Sequence, residues 1–131
     1  MNTDLKKIVL ASGNPGKLRE LQACLQPLSL TLIPQDTLQI TAVEETGLSF
    51  VENALLKARH AAQISKQPTI ADDSGLAVSA LNDAPGIYSA RYGGIQASNQ
   101  DNIDKLLSAL QNVPIEKRGA RFICVIAFLR H

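Results

Sequence analysis

Four short groups of residues in this chain have the types and spacing to do chemistry. The first is Ser12-Gly13-Asn14-Pro15-Gly16-Lys17, directly after the apolar run Ile8-Val9-Leu10-Ala11. Glycines let backbone N–H groups approach a ligand closely, a helix start offers its positive end, and Lys17 adds a mobile cation. Such a loop binds anions, phosphate above all. The second group is Asp72-Asp73-Ser74-Gly75, following the short strand-like run Thr69–Ala71. Adjacent carboxylates repel unless a cation or hydrogen bonds compensate, and hard oxygen donors suit Mg²⁺. Glu44-Glu45 is the third group, and Lys57, one turn after Asn53 on a helical stretch, is the fourth. Together they suit hydrolysis of a nucleoside triphosphate, where positioning and charge neutralisation do most of the work.

Each group also has a purely structural reading. Asn, Pro and Gly make tight strand-to-helix turns, and Asp-Asp-Ser-Gly makes an Asx turn closed by Gly75. One aspartate can serve that turn while the other faces a ligand. Glu44-Glu45 taken alone is a solvated acidic loop, and Lys57 alone an exposed lysine. Tyr88, Arg91 and Tyr92 have the types to stack on a base, but equally to pack or form an interface. A nucleotide-binding P-loop is excluded by spacing. Gly13 and Gly16-Lys17 enclose only Asn14 and Pro15, and Leu18 stands where Ser or Thr would hold magnesium. The dinucleotide Gly-x-Gly-x-x-Gly pattern is absent as well.

The elements that must position these groups alternate between strand and helix. The apolar pattern predicts a strand over Lys7–Ala11 and a helix over Lys17–Leu25, with Leu18, Leu21 and Leu25 on one face. A second strand is expected at Leu30–Pro34, then an irregular polar stretch, Gln35–Leu48. A helix follows to about Ser65, with Ser49 as cap and Glu52 bonding back to it. Thr69–Ala71 reads as a short strand, Leu76–Leu81 as another, and the residues 82–86 between Asn82 and Gly86 as a loop. Ser98 and Asp101 open a third helix that carries Ile103, Leu106, Leu107 and Leu110, and Ala120–Leu129 closes as a long strand. The expected fold is α/β with a mixed sheet.

Length and composition narrow the function. The 131 residues suit a single domain able to bury a core, and 45% of them are hydrophobic. Thirteen basic and twelve acidic residues leave a net charge of +1, which argues against a nucleic-acid polymer as partner. Cys24 and Cys124 sit in apolar stretches without a CxxC partner, so buried thiols in a reducing compartment are expected. No apolar run is long enough to span a membrane, and a cytoplasmic location follows as the expectation. From Phe122 to Leu129 the last strand is apolar at every position, as a strand covered on both faces is. The chain stops two residues later; such a strand expects further chain to pair with it and cover it, or else presents an aggregation-prone edge, which suggests a shortened version of a longer domain.

The segments Ile-Val-Leu-Ala-Ser-Gly-Asn-Pro-Gly-Lys at 8–17, Glu-Glu-Thr-Gly-Leu-Ser-Phe-Val-Glu-Asn-Ala-Leu-Leu-Lys-Ala at 44–58, Ala-Asp-Asp-Ser-Gly-Leu at 71–76 and Ala-Pro-Gly-Ile-Tyr-Ser-Ala-Arg-Tyr at 84–92 resemble the inosine triphosphate pyrophosphatase family, its bacterial dITP/XTP-hydrolysing branch in particular. The resemblance implies an elongated α/β fold around a cleft and a homodimer. It implies a house-cleaning enzyme that hydrolyses the purine nucleoside triphosphates ITP, dITP and XTP to monophosphate and pyrophosphate with Mg²⁺. On that resemblance Ser12, Gly13, Asn14, Pro15, Gly16 and Lys17 bind substrate, with Lys57 near the phosphates and Ser74 in contact with substrate. Asp73 is then the proton acceptor and a metal ligand, and Glu45 the second metal ligand, with Glu44 the alternative.

The Phe-Gly-Tyr-Asp-Pro and Ser-His-Arg motifs with which that family recognises the base do not occur in this sequence. The expectation is therefore one incomplete domain over 1–131, with the first lobe mostly present and the second largely missing. Such a chain would hydrolyse ITP slowly and discriminate weakly between bases. The alternative reading is a catalytically weak or inactive nucleotide-binding or assembly module.

Overall fold

The computed structural model describes residues 6–130. Its strands are β1 (Lys7–Leu10), β2 (Thr31–Pro34), β3 (Thr69–Val78), β4 (Ala84–Pro85) and β5 (Ala120–Leu129). Its helices are α1 (Pro15–Leu25), α2 (Phe50–Ser65) and α3 (Asn99–Ala109). The strands form one five-stranded mixed sheet, and this is the α/β class the sequence pattern predicts. The described residues fall into two compact units, 6–72 with 126–130, and Asp73–Val125.

In the first unit β1 is flanked by two parallel neighbours, with Ile8 opposite Leu32 in β2 and Val9 opposite Thr69 in β3. Ile8, Leu10, Leu32 and Ile70 form a core against which Leu18, Leu21 and Leu25 of α1 pack, so the predicted leucine face is the buried one. Gln22 ties α1 to the sheet from the side: its Nε2 donates to Leu30 O at 3.0 Å and its Oε1 accepts from Leu32 N–H at 2.9 Å. Strand geometry turns Val9 and Ala11 to the other face. Helix α2 packs against β1, and Ala54, Ala58, Ala61 and Ala62 are its buried apolar residues, small enough for a close approach. A parallel strand with helices on opposite sides is a topological switch point, where ligands bind beyond the strand ends.

Helix α1 starts two residues earlier than the apolar pattern indicates. Pro15 occupies its first position, where a missing N–H costs nothing, and Asn14 is the cap. Helix α2 has the expected bounds, and Ser49 Oγ accepts from Glu52 N–H at 3.1 Å. The return bond differs from the expectation: Glu52 Oε2 accepts from Leu48 N–H at 2.8 Å, one residue before the cap.

The largest correction concerns 69–81. Instead of two strands around an Asx turn, Thr69–Val78 is one continuous strand, and Ser79–Leu81 is a 3₁₀ turn. Asp72, Asp73 and Ser74 are therefore extended, and their side chains alternate between faces.

In the second unit β3 pairs antiparallel with β4, Ala77 opposite Pro85 and Val78 opposite Ala84. Ser89 Oγ supports this turn, accepting from Leu76 N–H at 2.9 Å and donating to Gly86 O at 2.7 Å. Helix α3 has the full capping box of Ser98 and Asp101. Its apolar stripe is not buried as expected, for Ile103 and Leu107 are exposed.

Strand β5 pairs with β3, and among the described residues it takes the uncovered, aggregation-prone alternative. Phe122, Cys124, Ile126 and Phe128 alternate as an exposed row, while Ala127 on the other face is buried. Cys24 is exposed as well, so neither thiol is a core residue. Among the described residues no helix is long and apolar enough to cross a membrane.

Candidate functional site

The site is built at the C-terminal end of β1. Ala11 N–H donates to Ile70 O of β3 at 2.9 Å, after which β1 ends and the chain turns through residues 12–14 into α1. Ser12 Oγ accepts from Asn14 N–H at 3.1 Å. Asn14 Oδ1 accepts from Gly16 N–H at 2.8 Å and from Lys17 N–H at 3.4 Å. The first donors of α1 are thus satisfied from within the loop, and the cation it offers is the Lys17 side chain. Gly13 lies close to a neighbouring carboxylate: a Cβ there would meet Asp36 Oδ2 at 3.4 Å. Ser12, Gly13, Asn14, Pro15 and Leu18 line a recess of about 200 Å³ with Pro34 and Asp36.

Lys17 Nζ is 2.7 Å from Asp72 Oδ2. The aspartate side chain is almost wholly buried, and its Oδ1 has no hydrogen-bond partner. A half-satisfied buried carboxylate is costly unless something completes it. This pair answers which aspartate the loop engages: Asp72 reaches back to Lys17. Asp73, the next residue on β3, is also buried, and Ser74 is exposed; both belong to the second unit.

A second ion pair in the first unit joins Glu45 and Lys57, Oε1 to Nζ at 2.9 Å, both partly buried. Glu44 is exposed. Of the two adjacent glutamates, Glu45 is therefore the one turned toward α2. The segment that carries it is held by Asn53, a wholly buried side chain. Asn53 Oδ1 accepts from Gly47 N–H at 2.7 Å, and its Nδ2 donates to Gly47 O at 3.5 Å. No Cβ fits at residue 47, for one would lie 2.6 Å from Asn53 Oδ1.

In the second unit Arg91 lies 5.1 Å from the Tyr88 ring centre and Lys105 4.3 Å from that of Tyr92. Each tyrosine is thus engaged by a neighbouring cation. The sequence left open which of Asp72 and Asp73 faces the loop, passed over His60 and Asp36, and marked Asn53 only as a neighbour of Lys57. The available signal was spacing, since Asn53, Lys57 and His60 fall at i, i+4 and i+7 of one helix.

A lysine-bearing loop at the switch point of a parallel sheet, its lysine paired with the buried Asp72, marks this as an α/β protein with its site beyond the end of β1. The profile of the Ham1 family matches residues 8–131, and the chain belongs to that family. It is 62% identical over 127 residues to the dITP/XTP pyrophosphatase of Yersinia pseudotuberculosis, and 59% identical to that of Pectobacterium atrosepticum. Each alignment covers 97% of this chain and 64% of the relative, so the chain spans less than two thirds of their length. A HAM1 protein from Coxiella burnetii superposes with a TM-score of 0.87 at 48% identity, over 95% of this chain and 63% of that one. The Ham1 protein of Staphylococcus aureus gives 0.82 at 44% identity, over 96% and 64% respectively.

Proposed function

We propose that this chain carries the phosphate-handling machinery of a nucleoside-triphosphate pyrophosphatase acting on ITP, dITP and XTP. The observation that carries the reading is the Lys17–Asp72 pair at the end of β1, with Asp72 Oδ1 buried and lacking a partner. The names of the relatives, dITP/XTP pyrophosphatases, support the substrate class. In the reaction water attacks the α-phosphorus, the α–β anhydride bond breaks, and monophosphate and pyrophosphate leave. Residues 12–17 bind the phosphates with Lys17 as the cation, and Lys57 offers a second positive charge near them. Asp73 accepts the proton of the attacking water, and Ser74 contacts the substrate.

Carboxylate and phosphate oxygens are the hard donors that Mg²⁺ takes. Among the described residues no three or more His, Cys, Asp or Glu gather as a closed metal cage. Mg²⁺ needs none, being held through one or two carboxylates, waters and substrate phosphate oxygens. Glu45 and Asp73 are the carboxylates we assign to it. When bound, the ion would neutralise charge developing on the phosphates. We also propose, from the family resemblance, a cytoplasmic homodimer.

The test is the product formed from ITP and XTP by this chain, however slow the turnover. Pyrophosphate release that requires Mg²⁺ is expected, and Asp73→Asn should lower it at least ~10²-fold. Stepwise release of orthophosphate, or a variant as active as the parent, would overturn the assignment.

A further inference from the structure

Residues 41–48 lie along one face of α2 and are fastened to it in reverse order. Asn53, Lys57 and His60 share that face, at i, i+4 and i+7. Asn53 holds Gly47, Lys57 holds Glu45, and His60 holds Thr41. The His60 contact is 3.0 Å from Nε2 to the Thr41 carbonyl oxygen. A carbonyl can only accept, so Nε2 carries the proton and donates. Glu52 adds a fourth tie at the Leu48 end.

We propose that 41–48 is a strap that presents Glu45, and that His60 is a positioning residue that sets Glu45 by fixing the far end of this strap. The two ends differ in kind. At Gly47 the fit is tight, since the Asn53 clamp is buried and leaves no room for a Cβ. At Thr41, an exposed residue that follows the buried Ile40, the tie to α2 is a single side chain reaching across 19 positions of sequence. Glu45 sits between them, in contact with Lys57. Losing the His60 tie leaves the Gly47 clamp and the buried Ile40 in place and lets the stretch between them sample more conformations, which dilutes the orientation of Glu45. Groups that orient a ligand from behind act in this way: removing them weakens metal use without abolishing the chemistry.

The consequence for Mg²⁺ rests on the proposed function, whereas the strap itself does not. Two readouts keep them apart. In the metal-free protein, a protease specific for glutamate is expected to cut after Glu44 and Glu45 about tenfold faster in His60→Ala than in the parent. Cutting after Glu20 and Glu116 should stay unchanged, and His60→Gln, which restores an N–H donor, should recover protection. In the second readout, the Mg²⁺ concentration for half-maximal pyrophosphate release from ITP should rise about tenfold in His60→Ala. The rate at saturating Mg²⁺ should stay within about twofold of the parent. Unchanged cutting at Glu44 and Glu45, or an equal rise at Glu20 and Glu116, overturns the strap. A strap that loosens while the Mg²⁺ dependence stays put overturns the positioning role. If the parent chain releases no pyrophosphate from ITP, the proposed function fails, and the proteolysis still decides the strap.

Discussion

Asp72 is the residue whose role the fold decides. On paper Asp72 and Asp73 are equivalent, because a turn would allow either to face a ligand. The continuous strand removes that freedom: alternation sends the two carboxylates to different faces, and one of them meets Lys17 at 2.7 Å. Lys17 was legible as a cation on an anion loop, but its partner lies 55 positions along the chain, beyond the reach of local pattern. The pair is partly buried and asymmetric, with the carboxylate the more buried member. Removing the lysine alone strands a buried charge, whereas neutralising both ends does not. Lys17→Met is therefore expected to destabilise the chain by about 2 kcal/mol or more. Adding Asp72→Asn to it should recover much of that loss. Urea denaturation of the two single variants and the double one measures the coupling; strictly additive effects would show that the pair carries no interaction.

At the scale of elements, helix α2 does more than cover the sheet. One side of it supplies alanines to the core, and another supplies Asn53, Lys57 and His60 to the 41–48 segment. The bounds of α2 were legible because its cap is local: Ser49 acts three residues away. The order within 41–48 was not legible, since it depends on side chains from the following helix and shows no periodicity of its own. Gly47 makes this dependence testable. Alanine at this position brings a Cβ to 2.6 Å from Asn53 Oδ1 and 2.8 Å from Glu52 Cβ. The backbone must then move away, and the buried Asn53 amide loses its partner. We expect Gly47→Ala to cost roughly 2–3 kcal/mol, read as a lower denaturation midpoint with an unchanged slope. A substitution neutral within about 0.5 kcal/mol would mean the segment adapts freely.

At the scale of the whole molecule, the sequence pattern was legible for the core of the first unit, and in β5 it marked a strand that is aggregation-prone where it lacks cover. The leucines of α1 and the apolar runs of β1 and β2 pack as their periodicities predict. In β5 an unbroken apolar run predicts two covered faces, yet Phe122 is 86% exposed, Ile126 52% and Phe128 46%. Periodicity reports what a strand can bury, and the rest of the described chain supplies no cover for that row. An exposed apolar row of this kind drives association and dye binding in proportion to its area. Lysine at Phe122 and Ile126 together breaks the row and adds two like charges, a common device against strand association. Because both side chains already face solvent, folding stability should change little. The double variant is expected to bind less of an apolar fluorescent dye and to scatter less light than the parent as concentration rises. Lysine at Ile103 and Leu107, the exposed apolar positions of α3, serves as the comparison for charge alone. If the α3 variant lowers scattering as much as the β5 variant does, net charge rather than the β5 row governs the behaviour of the chain in solution.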